Sequence, residues 1–269
     1  MPEGHTLHRL AKLHQRRYAR KPVTVSSPQG RFALEAESID GMVLQRAEAY
    51  GKHLFHRYDD RRIVHVHLGL YGAFTELENP APEPVGKVRM RLTGETHTTD
   101  LRGPTKCELL NVLAVDRMLA RLGPDPLRKD AKPELAHARI ARSKTSIAAL
   151  LMDQSVLAGV GNVYRAELLF RHGIPPYRPG REIDGELWSV LWADLVALMR
   201  DGVRVGRIDT VRPEHDPRVA GRAPRKDRHG GEVYVYRRAG MPCHVCGTSV
   251  AMAELAGRNL YWCPSCQAG

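Results

Sequence analysis

The chain begins Met1-Pro2-Glu3-Gly4. Removal of Met1 leaves Pro2 as a free secondary amine that titrates near ~7.7–8.0, so a share of it is unprotonated and nucleophilic around neutral pH. Attack of such an amine on a sugar aldehyde carbon gives an iminium, and Glu3 stands beside it as a carboxyl able to carry protons. An ordinary frayed terminus has the same composition, so the pair gains weight only from what the rest of the chain supplies.

The second chemical signal is at the other end. Cys243-His-Val-Cys246 and Cys263-Pro-Ser-Cys266 are CxxC pairs separated by the spacer Gly247 to Trp262. That spacing suits a tetrahedral Zn2+ site in which each pair gives two thiolates from one tight turn. Redox CxxC chemistry is the alternative, but no βαβ pattern surrounds either pair. With all four positions filled by protein, the expected metal is structural, one zinc per chain. It would stabilise a tail smaller than the ~40 residues below which domains need such help. Cys107 stands apart and is expected to be a small buried or half-buried thiol.

Lys and Arg number 41 against 30 Asp and Glu, a formal net charge of +11. That balance favours a polyanionic partner such as nucleic acid. No apolar run approaches the ~18 residues of a spanning helix and no charged-then-apolar leader opens the chain, so the expectation is a cytoplasmic protein without a membrane partner. The 42% hydrophobic content supports true cores.

Helices and strands must hold these groups. Leu7, Leu10, Ala11 and Leu13 recur at helical spacing from Thr6 to about Tyr18, which anchors the terminus. From Val23 to Thr99 the pattern is of strands: His53 to Tyr58, Ile63 to Leu70, and Lys87 to Leu92 before a Thr93-Gly94-Glu95 turn. The alternation predicts antiparallel sheets with one wet face, His65 and His67 on the solvent side. Asn79 to Pro84 alternates prolines and is a loop between strands. The better domain boundary lies at Gly123-Pro124-Asp125-Pro126, where the pattern turns helical.

Helices are expected over Glu134 to Arg142 and Ser146 to Asp153. In the stretch Leu157-Ala-Gly-Val-Gly-Asn-Val-Tyr-Arg, Gly159 and Gly161 allow close backbone approach and Asn162 is expected to cap a helix from Val163 that Gly173 ends. Such a turn can seat a phosphate or be a plain helical hairpin. A last helix, capped by Asp184, carries Leu187, Val190, Leu191, Leu195 and Leu198. Gly202 to Gly231 loses apolar pattern and carries Arg218, Arg222, Arg225, Lys226 and Arg228, a mobile basic loop expected to grip a phosphate backbone, to cap a base or to be only a solvated connector. Glu232 to Tyr236 alternates like a strand, and Gly257-Arg258-Asn259 reads as a hairpin tip.

Taken together, MPEG, YGKHLF, HLGLYG, LMDQSVLAGVGNVYRAELL and GRNLYWCPSCQ resemble the formamidopyrimidine-DNA glycosylase and endonuclease VIII family of base-excision repair enzymes, over almost the whole chain. The resemblance implies an α+β multidomain protein: an N-terminal β-sandwich with flanking helices over 1–124, a helix-two-turns-helix domain over 125–230 and a zinc ribbon over 231–269. Damaged double-stranded DNA would lie between them, bound by a monomer associated with the nucleoid. Carried over by position, Pro2 is the nucleophile at C1′, Glu3 the proton donor to the sugar ring oxygen, and Lys52 the phosphate-contacting lysine that assists strand cleavage. Asn162 and Arg258 match residues that clasp phosphates beside the lesion. Leu70 and Tyr71 match the wedge that fills the space of a flipped base.

The run His5-Thr6 departs from the family, where an acidic residue often follows MPEG, and Gly69 replaces a polar wedge residue. Leu70-Tyr71 and the YWCPSC ending resemble the endonuclease VIII branch more than the 8-oxoguanine branch, implying oxidised pyrimidines and abasic sites as substrates. A zinc-ribbon damage-binding protein without catalysis, or an abasic-site lyase that has lost base excision, are the alternatives.

Overall fold

The computed structural model describes residues 2–226 and 231–268. They fall into two units, Met1–Arg121 and Leu122–Gly269.

In the first unit, helix α1 (Gly4–Tyr18) starts at the chain's head, with Glu3 as its extended N-cap and Arg16 and Arg17 in its last turn, where cations suit the dipole. Its inward line is Leu7, Ala11, His14 and Tyr18, four residues at helical spacing. This line packs on β2 (Arg46–Tyr50) and β3 (His53–Arg57). With β4 (Ile63–His67) and β8 (Lys106–Leu110) these form an antiparallel sheet in the order β2-β3-β4-β8. A second four-stranded sheet, β1-β6-β7-β5, comprises β1 (Thr24–Ser26), β5 (Ala73–Glu78), β6 (Val88–Thr93) and β7 (His97–Arg102). Leu54, Val64 and Val66 from the first sheet meet Val25, Met90, Leu92 and Leu101 from the second in one core with Leu7 and Ala11. This is the β-sandwich. Short α2 (Ala33–Ile39) adds Ala36 and Ile39 to it.

The expectation of a wet outer face fails for β4, which is buried at its first four positions, His65 included. The reason is α3 (Val112–Leu119), capped by the Asn111 side chain, which accepts from Ala114 N–H at 2.9 Å. It lays Val115 over Phe55 and Ile63 in a second small core. The expected strand Ile63 to Leu70 also stops at His67, because Leu68 turns: its carbonyl accepts from Gly72 N–H at 3.0 Å.

In the second unit α6 (Asn162–Arg171) is the axis, buried from Asn162 to Phe170, its polar Asn162, Arg165 and Glu167 included, so these must find partners inside the fold. Around it lie α4 (Pro133–Ile140), α5 (Ile147–Leu150) and α7 (Gly185–Val205). The Asp184 carboxylate accepts from Leu187 N–H at 2.8 Å and caps α7. The buried face of α7 is Trp188, Leu191, Leu195, Leu198, Met199 and Val203, whereas Val190 is exposed. The helix runs into the stretch expected to lack pattern and stops at Gly206. In the basic loop, Arg222 is tied to Glu232 at 2.7 Å and Arg218 to Asp216 at 3.1 Å; Arg228 lies outside the described residues.

Glu232 to Tyr236 is not a strand. The amides of Tyr234, Val235 and Tyr236 all donate to the buried Glu167 carboxylate, at 2.7, 2.9 and 2.9 Å. A strand would send alternate amides to opposite sides, so a shared anion bends this segment instead. Thr210 Oγ1 donates to the same carboxylate at 2.5 Å. The terminal hairpin, β9 (Ala251–Leu255) and β10 (Arg258–Trp262), turns at Ala256-Gly257, so Arg258 opens a strand rather than forming the tip. Val250, Leu260 and Tyr261 share one core with Tyr164, Leu168 and Trp188. The ribbon is therefore not left with its own small core.

Candidate active site and nucleic-acid interface

Pro2 is half-buried and Glu3 is fully buried, at 0% exposure. The Glu3 carbonyl accepts from Thr6 N–H at 2.9 Å, which starts the helix and holds both residues against a rigid body. His5 follows inside the fold, where burial lowers its pKa to about 4 and keeps the ring neutral. Lys52 sits in the two-residue turn Gly51-Lys52 joining β2 to β3, with Tyr50 opposite His53. Gly51 takes φ +54°, the left-handed conformation that so short a turn requires at its first position. Since α1 packs on both strands of this hairpin, one unit carries Pro2, Glu3 and Lys52.

The same unit bears an apolar finger. Leu70 is 44% exposed and Tyr71 is 88% exposed. They stand on a turn closed by Gly69 and Gly72. Gly69 has φ +68°, and a Cβ on Gly72 would lie 2.3 Å from the Leu68 carbonyl oxygen. Two large apolar side chains held in solvent on a tight turn have the form of an interaction device rather than a core.

In the second unit, Asn162 is the first residue of α6 and not its cap; Gly161 is the cap, and no side chain caps the helix. The Asn162 amide is used elsewhere. Its Nδ2 donates to the Asn259 carbonyl at 2.9 Å, and its Oδ1 accepts from the fully buried Arg165 guanidinium, which also donates to Asn259 O at 3.2 Å. Asn162 is thus fastened to the strand that carries exposed Arg258. The turn from Val156 to Gly161 is buried, and Gly159 N–H donates to Gln154 Oε1 at 3.0 Å.

The four cysteines converge. Their Sγ atoms lie within 4.8 Å of one another, the only such ligand group among the described residues. Cys243 and Cys266 are 3.9 Å apart and Cys246 and Cys263 3.4 Å apart, sulfur to sulfur. A tetrahedral zinc with ~2.3 Å bonds needs sulfurs about 3.8 Å apart. Val245 N–H points at Cys243 Sγ and Cys266 N–H at Cys263 Sγ, both at 3.4 Å, as knuckle amides do for thiolates. The donor set fits one structural zinc. Cys107 is half-buried, and burial pushes its thiol up to about 12.

Some polar groups gave no signal in the sequence. Glu167 and Arg165 appear there as ordinary helix residues. His53, His65 and Glu108 become neighbours only through strand register, although the His-rich runs on β3 and β4 mark where to look.

Residues 1–107 match the model of the formamidopyrimidine-DNA glycosylase N-terminal domain, 122–213 that of its H2TH domain, and 240–269 a zinc finger found in FPG and IleRS. Endonuclease 8 1 of Mycobacterium tuberculosis is 59% identical over 271 residues, covering 99% of this chain and all of that one. The chain belongs to the formamidopyrimidine-DNA glycosylase family. Formamidopyrimidine-DNA glycosylase of Thermosynechococcus vestitus is 31% identical over 86% of this chain and 82% of its own. In fold, the chain matches Lactococcus lactis formamidopyrimidine-DNA glycosylase, solved non-covalently bound to DNA containing an AP site, with TM-score 0.77 at 19% identity over 99% of this chain and all of that one. Among members of this family the zinc finger, the H2TH helices and the N-terminal sandwich are thus all present here.

Proposed function

We propose that the protein is a bifunctional DNA glycosylase and abasic-site lyase of base-excision repair, acting on damaged double-stranded DNA. The observation that carries the reading is the placement of Pro2 beside the fully buried Glu3 at the head of α1, a rigid element. With Met1 removed, the Pro2 nitrogen attacks C1′ of the damaged nucleoside. Glu3 protonates the sugar ring oxygen, the ring opens, the base departs and an iminium forms between Pro2 and C1′. The iminium acidifies C2′–H; loss of that proton expels the 3′ phosphate by β-elimination. A second elimination expels the 5′ phosphate, and hydrolysis of the iminium frees Pro2.

The chain's own groups supply everything else. Lys52 contacts phosphate and assists cleavage, Leu70 and Tyr71 fill the space of the extruded base, and Asn162 with Arg258 clasps flanking phosphates. Zinc bound by Cys243, Cys246, Cys263 and Cys266 holds the hairpin that presents Arg258. The identity to Endonuclease 8 1 and the Leu70-Tyr71 finger favour oxidised pyrimidines over 8-oxoguanine. The relatives are bacterial proteins, and this chain works as a monomer on the nucleoid in the cytoplasm.

Duplexes carrying thymine glycol, dihydrouracil, 8-oxoguanine or an abasic site test this. The expected result is incision of the first two and the last, with weak action on 8-oxoguanine. Strong preference for 8-oxoguanine opposite cytosine would overturn the pyrimidine assignment, cleavage of the abasic duplex alone would leave only a lyase, and binding without cleavage would remove catalysis.

A further inference from the structure

Glu108 on β8, His65 on β4 and His53 on β3 form a hydrogen-bonded row across three strands. His65 Nδ1 lies 2.9 Å from Glu108 Oε1, and His53 Nδ1 lies 2.8 Å from His65 Nε2. The His53 and His65 rings stack with centroids 5.1 Å apart and planes 30° apart, and Phe55 stacks on His65 at 5.3 Å. Register explains the row: His65 is directly opposite Glu108 and Phe55, which puts His53 on the diagonal two residues away.

The direction of each bond follows from chemistry. An ionised carboxylate only accepts hydrogen bonds. Burial opposes ionisation of Glu108, but the hydrogen bond from His65 and the positive charge of Lys106 help to outweigh it and hold the carboxyl below its usual range, while burial lowers the His65 pKa and keeps that ring neutral. His65 therefore carries its proton on Nδ1, and its Nε2 is a lone pair. That lone pair accepts from His53, so His53 also carries its proton on Nδ1 and its Nε2 is bare.

We propose that Glu108 and His65 fix His53 as the neutral Nδ1–H tautomer, and that His53 in turn is a positioning residue for Lys52, its neighbour in the chain. The proposal rests on the reading of Lys52 as the lysine that assists strand cleavage. His53 is the first residue of β3 and closes the two-residue turn that holds Lys52, so tying its ring to β4 and β8 ties down that turn. A bare Nε2 gives the Lys52 ammonium an acceptor, whereas a protonated ring would repel it. The titratable groups facing His53 are Lys52 in the turn, His65 and His67 on β4, and Lys106 and Glu108 on β8. Burial, and then His65, His67, Lys52 and Lys106 together, lower the His53 pKa to about 3.

Two measurements on the full chain test this. In 15N-histidine-labelled protein, long-range 1H–15N correlations near pH 7.5 should show His53 and His65 both protonated on Nδ1, and Glu108→Gln, whose amide can donate as well as accept, should remove that preference. In single-turnover cleavage of an abasic duplex, Glu108→Gln should slow the rate on the order of 10- to 100-fold, with duplex affinity reduced no further than in Lys52→Ala. Adding Lys52→Ala to Glu108→Gln should cost less than Lys52→Ala does alone, since both act through one group. An Nε2–H tautomer at His53, or wild-type cleavage rates in Glu108→Gln, would overturn the proposal. A wild-type chain with the stated tautomers that never cleaved abasic DNA would instead overturn the functional reading, and with it the purpose given to the row.

Discussion

Asn162 and Asn259, 97 residues apart in sequence, are joined by one amide-to-carbonyl hydrogen bond of 2.9 Å. That bond fixes the first residue of α6 to the strand that opens with Arg258, and it makes one device of two separated motifs. Replacing Asn162 with Ala should weaken binding to damaged duplex, both by removing an amide and by releasing β10. Replacing Arg258 with Ala should weaken binding about equally across duplex sequences and reduce the slope of log K against log salt by about one phosphate contact. Fluorescence anisotropy across a salt series measures both; an unchanged slope in Arg258→Ala would remove Arg258 from the phosphates.

The finger predicts a separation of activities. Tyr71 is 88% exposed, so Tyr71→Ala should leave the melting temperature nearly unchanged. Excision of an intact oxidised base needs the space of the flipped nucleotide filled, whereas an abasic site has less to unstack. Excision should fall on the order of tenfold or more, and abasic cleavage much less, in single-turnover assays on paired duplexes. Equal loss on both substrates would contradict a wedge role.

Metal removal should act on the fold as well as on DNA binding. Cys243 and Cys263 lie in the same core as Leu168 and Trp188, so the loss should spread beyond the ribbon. Chelation, or Cys263→Ala, should lower the melting temperature, lower duplex affinity and release one zinc per chain by metal analysis. Full affinity in a zinc-free chain would show that the ribbon does not present Arg258.

Stability should respond to pH at the histidines before the carboxylates. Burial lowers His5 to about 4 and His53 to about 3, and it lowers His56 well below its ordinary value, with His14 adding to the effect. Above pH ~6.5 folded and unfolded chains both hold these rings neutral, and no stability depends on pH through them. Below it the unfolded chain takes up protons that the folded chain refuses, so stability falls as pH drops toward the folded values. For His5, only 4% exposed, the loss by pH 4 is on the order of 3 kcal/mol. Denaturation of the protein between pH 8 and 5 should show a melting temperature that declines from about pH 6.5 downward; a flat profile would mean the rings titrate freely.

Much of this was legible in the sequence because local chemistry decided it. The Cys pairs gave the metal site, the spacing of Leu7, Leu10, Ala11 and Leu13 gave α1, although Leu10 and Leu13 are only half-buried and His14 and Tyr18 complete the inward line, and Asp184 gave the start of α7. What failed failed where tertiary partners overrode the local pattern. His65 alternates like a solvent residue, yet α3 arrives from another part of the chain to cover its neighbours. Tyr234 to Tyr236 alternates like a strand, yet one buried carboxylate on α6 takes all three amides. Asn162 has the composition of a cap, but Asn259 and Arg165 take up its amide. Leu70 continues an apolar alternation whose last member the Gly69 turn sends into solvent.

The central claim is a covalent bond between the nitrogen of Pro2 and C1′ of the sugar. Incubating the mature chain with an abasic or thymine-glycol duplex in sodium borohydride should reduce the iminium and yield a stable protein–DNA crosslink whose mass maps to the N-terminal peptide. Pro2→Gly should sharply reduce that crosslink, and acetyl capping of the terminus should abolish nicking while leaving affinity intact. Crosslinking in Pro2→Gly at the wild-type level, or undiminished incision after capping, would contradict the account.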